Sequence, residues 1–203
     1  MFIEQPPLWF RWFYPDALWR LDKKHKVVYL TFDDGPIPDV TPRVLEILDH
    51  YKVKATFFMV GDNVRKYPDV FDLVKKAGHR LGNHSFNHIG GMRHGIRSYI
   101  NNFDKANQYI HTDLVRPPYG WMKWEQYYFL RQHYKLVMWD VVTGDYSKHL
   151  TAEQVIRNVM RYTRPGSIIT FHDSLRSADK LWTALPKSIE WLKSQGYSLK
   201  MIP

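Results

Sequence analysis

Cysteine is absent from the 203 residues, which excludes disulfides and thiolate metal sites and leaves only nitrogen and oxygen as ligand atoms. No run of about 18 apolar residues occurs, so no membrane-spanning helix is expected. The N-terminus lacks a basic stretch followed by an apolar region and small cleavage residues, and on that ground the expected compartment is cytoplasmic. Blocks of five or six like charges are missing too. The formal charge of +9 comes from Lys and Arg scattered over predicted helices, which reads as solvated helix faces, and no nucleic-acid partner is expected. The remaining composition, 44% apolar and 24% charged with a surplus of Trp and Tyr, suits one globular domain.

Residues 26–32 form a β-branched and aromatic run that stops at Asp33-Asp34-Gly35-Pro36, the pattern of a buried strand ending in a turn. A helix should follow, with Thr41 as N-cap, Pro42 at the first helical position, and Val44, Leu45, Leu48 and Tyr51 on one face. The unit then repeats: strands are predicted over 55–60, 79–82, 114–116, 135–139, 167–171 and 198–202. Helices are predicted over 68–76, 96–111, 123–133, 152–163 capped by Thr151, and 180–195. About seven strands alternating with six helices predict an α/β fold with a parallel sheet, and periodicity leaves its closure open.

Residues 1–22 stand outside this repeat, with Trp9, Phe10, Trp12, Phe13, Tyr14 and Trp19 packed among Arg11 and Arg20. A piece rich in Trp and Arg suits a membrane interface. The favoured reading is a segment that caps the bottom of the fold, because Pro6, Pro7 and Pro15 interrupt any long amphipathic helix.

The unusual polar residues all lie just after predicted strands. Asp33 and Asp34 follow the first, His84 and His88 the third, Arg116 and Tyr119 the fourth, Asp145 the fifth and His172 the sixth. In parallel α/β architectures those strand ends converge on one face, and that face carries the active site. Taken alone, the doubled Asp reads as a polar turn and the His pair as incidental. Four residues apart, however, His84 and His88 would project from one face of a helical turn, as two ligands to one ion require. Two imidazoles and one carboxylate make a facial site with open positions, and the second Asp is then free to take a proton from water. His172 could protonate a leaving nitrogen. His25, His50, His111, His133 and His149 fall at helix ends or in loops and are read as solvated, while His79 and His94 are left open with a structural role preferred.

These residues occur in five ordered motifs: Thr31 to Pro36, His84 to His88, Arg116-Pro117-Pro118-Tyr119, the stretch from Trp139 to Tyr146, and Ile169 to His172. In that order and spacing the chain resembles carbohydrate esterase family 4, the polysaccharide deacetylase (NodB homology) domain, over residues 26–203, with residues 1–25 as an aromatic-rich N-terminal segment packing on it. The resemblance implies a distorted (β/α) barrel of about seven parallel strands. It implies that Asp34, His84 and His88 hold a divalent metal ion, most often Zn2+ in the family with Co2+, Ni2+, Mn2+ or Fe2+ as alternatives, and that Asp33 is the catalytic base. Arg116 would hold Asp33 ionised, the Tyr119 N–H would complete an oxyanion site, His172 would be the general acid, and Asp145 would hydrogen-bond His172 and raise its pKa. Pro118, Tyr119, Tyr146 and Phe171 are expected to contact the substrate, an N-acetylated amino-sugar polymer or oligosaccharide.

In the fourth motif the family commonly reads Asp-x-x-Asp-Trp, whereas this chain has Val142 and Tyr146 at the outer positions around Asp145. The change in Tyr146 alters how a sugar ring or acyl methyl would pack, so the chemistry transfers more readily than the substrate does. Alternative readings on the same residues are an O-acetyl esterase, a deacylase of a non-sugar amide, a two-His-one-carboxylate oxygenase, and a non-catalytic carbohydrate-binding relative.

Overall fold

The computed structural model describes residues 4–203; the first three residues of the N-terminal segment lie outside the described residues. The elements run α1 (Leu8–Trp12), β1 (Val27–Asp33), α2 (Thr41–His50), β2 (Thr56–Met59), α3 (Gly61–Lys66), α4 (Pro68–Lys76), β3 (Arg80–Asn83), α5 (Ile96–Ile110) and β4 (Leu114–Val115). They continue as α6 (Trp124–His133), β5 (Lys135–Leu136), β6 (Val141–Val142), α7 (Ala152–Tyr162), β7 (Ile168–His172), α8 (Ala178–Ser194) and β8 (Ser198–Lys200). Seven strands pair in parallel in the order β5-β4-β3-β2-β1-β7-β6, a curved half-barrel, and β8 joins the start of β1. The sheet thus has a seam between β5 and β6.

Every residue of β1 is buried, as a central parallel strand with covered faces requires. Its alternation sorts the two sides. Val28, Leu30 and Phe32 pack in the core under the helices with Phe57, Ile169 and Phe171. Val27 and Tyr29 belong to a second cluster with Phe58, Leu114, Val137 and Ile168. Thr31 and Asp33 share the parity of that second set, which brings their polar groups to the concave side of the sheet.

The helices carry local signals of their own. On α7, Thr151 Oγ1 accepts from the Gln154 N–H at 3.3 Å while Gln154 Oε1 accepts from the Thr151 N–H at 2.8 Å, a reciprocal cap. Thr41 does not cap α2 as expected. Its Oγ1 accepts from the Ile37 N–H at 2.8 Å and donates to Asp173 at 2.6 Å, so the hydroxyl ties the turn after β1 to the end of β7.

The N-terminal segment runs along the seam and also reaches the strand ends opposite the active site, where Arg20 bridges to Ser167. The Val142 N–H donates to Glu4 O at 2.8 Å on the β6 side, and on the β5 side Leu18 exchanges backbone bonds with Leu136 O and the Met138 N–H. Phe10, Tyr14, Ala17 and Trp19 are buried with Tyr99, Phe103, Tyr127 and Leu130. Further on, the Leu21 N–H donates to Gly166 O and the Gly166 N–H to Val27 O. Gly166 sits at φ +81°, and a Cβ there would collide with the Leu21 carbonyl. Gly166→Ala is therefore expected to cost roughly 2 kcal/mol or more in denaturant unfolding. An unchanged midpoint would show that this stretch contributes little to the fold.

Candidate active site

β1 and β7 are in register so that Asp33 pairs with His172 and Thr31 with Thr170. Both pairs face the concave side, which places a carboxylate and an imidazole next to each other at the strand ends. Arg116, just past β4, is fully buried and crosses the barrel interior. Its Nη1 donates to Asp33 Oδ1 at 2.6 Å and to Thr31 Oγ1 at 2.8 Å, its Nη2 donates to Met138 O at 2.9 Å, and the guanidinium lies 4.1 Å over the Phe58 ring. Burial pulls this guanidinium below its usual pKa, and Asp33 opposes the shift. With Oδ1 of Asp33 taken by Arg116, its Oδ2 is the oxygen turned toward His84, 4.0 Å from Nε2.

Asp34, His84 and His88 converge: one ligand atom from each lies within 4.8 Å of the others. The two histidines are not on a helical turn, as their spacing suggested. They sit on an irregular loop after β3 in which Ser85 and His88 adopt φ +62° and +54°. Side chains wire that loop in place of a helix: Asn83 Oδ1 accepts from the Ser85 N–H at 2.9 Å, and Ser85 Oγ from the Ile89 N–H at 3.2 Å. Asp34 and Tyr119 also have positive φ, +84° and +64°. Such conformations cost on the order of 1–3 kcal/mol each and collect where a site needs its side chains aimed.

The donor chemistry fits a first-row divalent ion. His84 Nδ1–H donates to Arg116 O at 2.8 Å, which leaves the Nε2 lone pair facing Asp33 and Asp34. Burial, acting more strongly than the nearby carboxylates, lowers the His84 pKa to about 4, so the ring is neutral at physiological pH and ready to ligate. His88 Nε2 is 3.3 Å from Asp34 Oδ1, and its ring meets Tyr119 edge-on at 4.9 Å. Two imidazole nitrogens and one carboxylate suit zinc or its neighbours.

His172 has its own carboxylate. Asp145, fully buried, accepts from His172 Nδ1 at 2.8 Å and from the His172 N–H at 2.7 Å, which leaves Nε2 for the cavity the residue lines. Burial pushes this imidazole down, but Asp145 by charge and hydrogen bond, with Asp34 and Asp33 behind it, outweighs burial and lifts the pKa to about 9. Tyr146 packs edge-on against the His172 ring at 4.8 Å.

Around these groups lies an open cavity of about 400 Å³, whose wall beyond the polar residues is made by Pro117, Tyr119, Trp139, Val142, Tyr146 and Thr170. Two expected substrate contacts are corrected here. Phe171 is fully buried in the core, stacked 6.0 Å from Phe32, because strand alternation turns Thr170 and His172 inward and Phe171 outward. Pro118 is buried and does not line the cavity, whereas its neighbour Pro117 does. Trp139 and Thr170, which lie inside the motifs but were given no role, line the cavity together with Ser174 and Arg176. Parity with His172 would have found Thr170. Asp173 was also missed: buried, it accepts from the Gly35 N–H at 3.1 Å and from Thr41, and burial raises its pKa to about 8. It anchors the turn that carries the Asp pair. His79 and His94 are structural: the first accepts from the Ala55 N–H at 3.1 Å and the second bonds Gly90 O at 2.9 Å.

The sequence model for polysaccharide deacetylase matches residues 20–129. A peptidoglycan-N-acetylglucosamine deacetylase of Bacillus cereus is 33% identical over 192 residues, covering 87% of this chain and 66% of that one. A chitooligosaccharide deacetylase of Azorhizobium caulinodans is 30% identical over 203 residues, covering 91% and 96%. Among solved structures, the Bc1960 peptidoglycan N-acetylglucosamine deacetylase superposes with a TM-score of 0.89 at 30% identity over 98% of this chain and 95% of that one. With more than half of its length inside the matched region and nearly all of it on a shared fold, the chain belongs to the polysaccharide deacetylase family.

Proposed function

We propose that the chain removes N-acetyl groups from an N-acetylated amino-sugar polymer or oligosaccharide, peptidoglycan-like or chitin-like. The observation that carries this reading is the meeting of three units on one cavity: the Asp33–Arg116 ion pair, the Asp34–His84–His88 cluster and the His172–Asp145 pair. The similar proteins of known activity act on such substrates.

A divalent cation such as Zn2+, held by Asp34, His84 and His88, would lower the pKa of a nearby water and polarise the amide carbonyl. Asp33 Oδ2 takes the proton from the attacking water, while Arg116 on Oδ1 fixes the orientation of the carboxylate. The Tyr119 N–H, on a loop with positive φ at the rim, stabilises the developing oxyanion. His172 Nε2 donates its proton to the leaving nitrogen, with Asp145 fixing the ring through Nδ1. Trp139, Val142 and Tyr146 offer apolar surface for the acyl methyl and the sugar ring. Acetate release from a panel of acetylated sugars, with and without added zinc, tests the reading; no release from any N-acetylated glycan would overturn it.

His172 sets the basic limb of the rate profile. Its acid form, populated below a raised pKa of about 9, is lost as pH rises through that value, so turnover should fall there. A cation beside Asp34 offsets part of the acidic field, which places the limb at or somewhat below 9. Asp145→Asn is expected to move the limb to lower pH by roughly 1–2 units. His172→Ala should damage amide hydrolysis on the order of 10²-fold while sparing an activated aryl acetate, whose leaving group needs no proton. Equal losses on both substrates would instead give His172 a placement role.

A further inference from the structure

The N-terminal segment presents an aromatic face that the cavity does not use. Phe10 fixes α1 inward, its ring 4.5 Å from Trp121 and 5.5 Å from Trp19. At about 100° per residue, Leu8 and Trp12 fall on the side away from Phe10. They are 69% and 74% exposed, with Trp9 beside them also exposed. The prolines that argued against a long amphipathic helix bound this short one: Pro7 is its N-cap and Pro15 lies past its end.

Next to this face, Leu8 and Arg11 enter a cavity of about 290 Å³ that Arg20, Lys23 and Arg164 also line. One fully buried carboxylate, Asp140, serves all three guanidinium groups, with Arg11 at 2.6 Å, Arg164 at 2.7 Å and Arg20 at 3.6 Å. Two positive charges are left uncompensated, and Lys23 adds a third. Arg20 Nε–H is buried without a hydrogen-bond acceptor. Burial, and after it repulsion from Arg164, holds the Arg20 pKa below its ordinary value. The cavity therefore carries net positive charge even with Asp140 beside it.

We propose that this edge of the protein rests on an anionic lipid surface, with a headgroup phosphate among Arg11, Arg20 and Arg164 and with Leu8, Trp9 and Trp12 in the headgroup–acyl boundary. Guanidinium groups match phosphate geometry, and Trp prefers that boundary. Among the described residues no helix is long and apolar enough to cross a membrane, and the contact proposed for this face is an interfacial one. A second copy of the chain is a poorer occupant, because two such faces would bring like charges together. Asp140 and Ser167 stand just before β6 and β7, so the basic cavity lies at the strand ends opposite the catalytic one.

Flotation of the full chain with phosphatidylcholine vesicles, with and without phosphatidylglycerol, tests this. Partition is expected only on the anionic vesicles and should weaken steeply with salt. Trp12→Glu should reduce it on the order of tenfold or more, and Arg164→Gln should reduce it as well. Trp12→Glu should keep the wild-type unfolding midpoint, and both variants should keep acetate release from a soluble chito-oligosaccharide. Absence of partition, equal partition on neutral vesicles, or wild-type partition of Trp12→Glu would overturn the proposal. So would stabilisation by inorganic phosphate without vesicle binding, which marks a free-anion site. A dimer that Trp12→Glu converts to monomer in sedimentation would make the face a self-association surface and would overturn it too.

Discussion

His84→Ala is expected to remove both the binding of a divalent cation and the hydrolytic activity, and His88→Ala to do the same. In the proposed function each imidazole would be one of three protein ligands, and the remaining pair would hold an ion poorly against competing water. His84 is also the better prepared of the two, because the Arg116 carbonyl fixes its tautomer and burial keeps it neutral. Affinity should fall by at least about 10²-fold, read by calorimetric titration with zinc, and turnover should fall with it. Unfolding midpoints of the metal-free proteins separate loss of a ligand from loss of the fold. Stoichiometric metal retained by the double variant would remove this cluster from the mechanism.

Asp33→Asn should separate binding from chemistry. The amide oxygen is drawn to the Arg116 guanidinium, which leaves the NH2 where Oδ2 stood, and that group cannot accept a proton from water. Turnover is expected to fall about 10²-fold or more while cation binding persists. Because Arg116 is fully buried, the variant also leaves a less compensated charge and should lose stability, on the order of 3 kcal/mol. Metal titration on the folded variant is therefore the informative control. If Asp33→Asn loses the ion and Asp34→Asn keeps it, the two carboxylates have exchanged roles.

The sequence was most legible where burial was complete. β1 and β7 announce themselves because parallel strands covered on both sides must be apolar throughout, and the polar residues at their ends then stand out. Several short elements left no such trace. β6 is the two residues Val141–Val142, and α1 and α3 have five and six residues, too few for a periodic stripe. The His84–His88 spacing identified the residues but suggested the wrong backbone, because a loop with positive φ at Ser85 and His88 can bring the rings together as well as a helical turn can. Phe171 was placed at the substrate by its motif, although strand parity with His172 already excludes it. Asp173 and Thr41 reach each other across the chain by a hydrogen bond that no local pattern encodes.

The seam between β5 and β6 also bears on the order in which the molecule is assembled. Glu4 meets Val142, and Leu18 meets Leu136 and Met138, more than a hundred positions later in the chain. Residues made early therefore wait for partners made late, and closing so long a loop is an entropic cost that local contacts cannot offset. Until it closes, β5 and β6 are open edges whose unpaired N–H and C=O groups could recruit a strand from a neighbouring chain. In the finished fold the same segment occupies those edges, so it acts as a built-in guard against edge-to-edge aggregation.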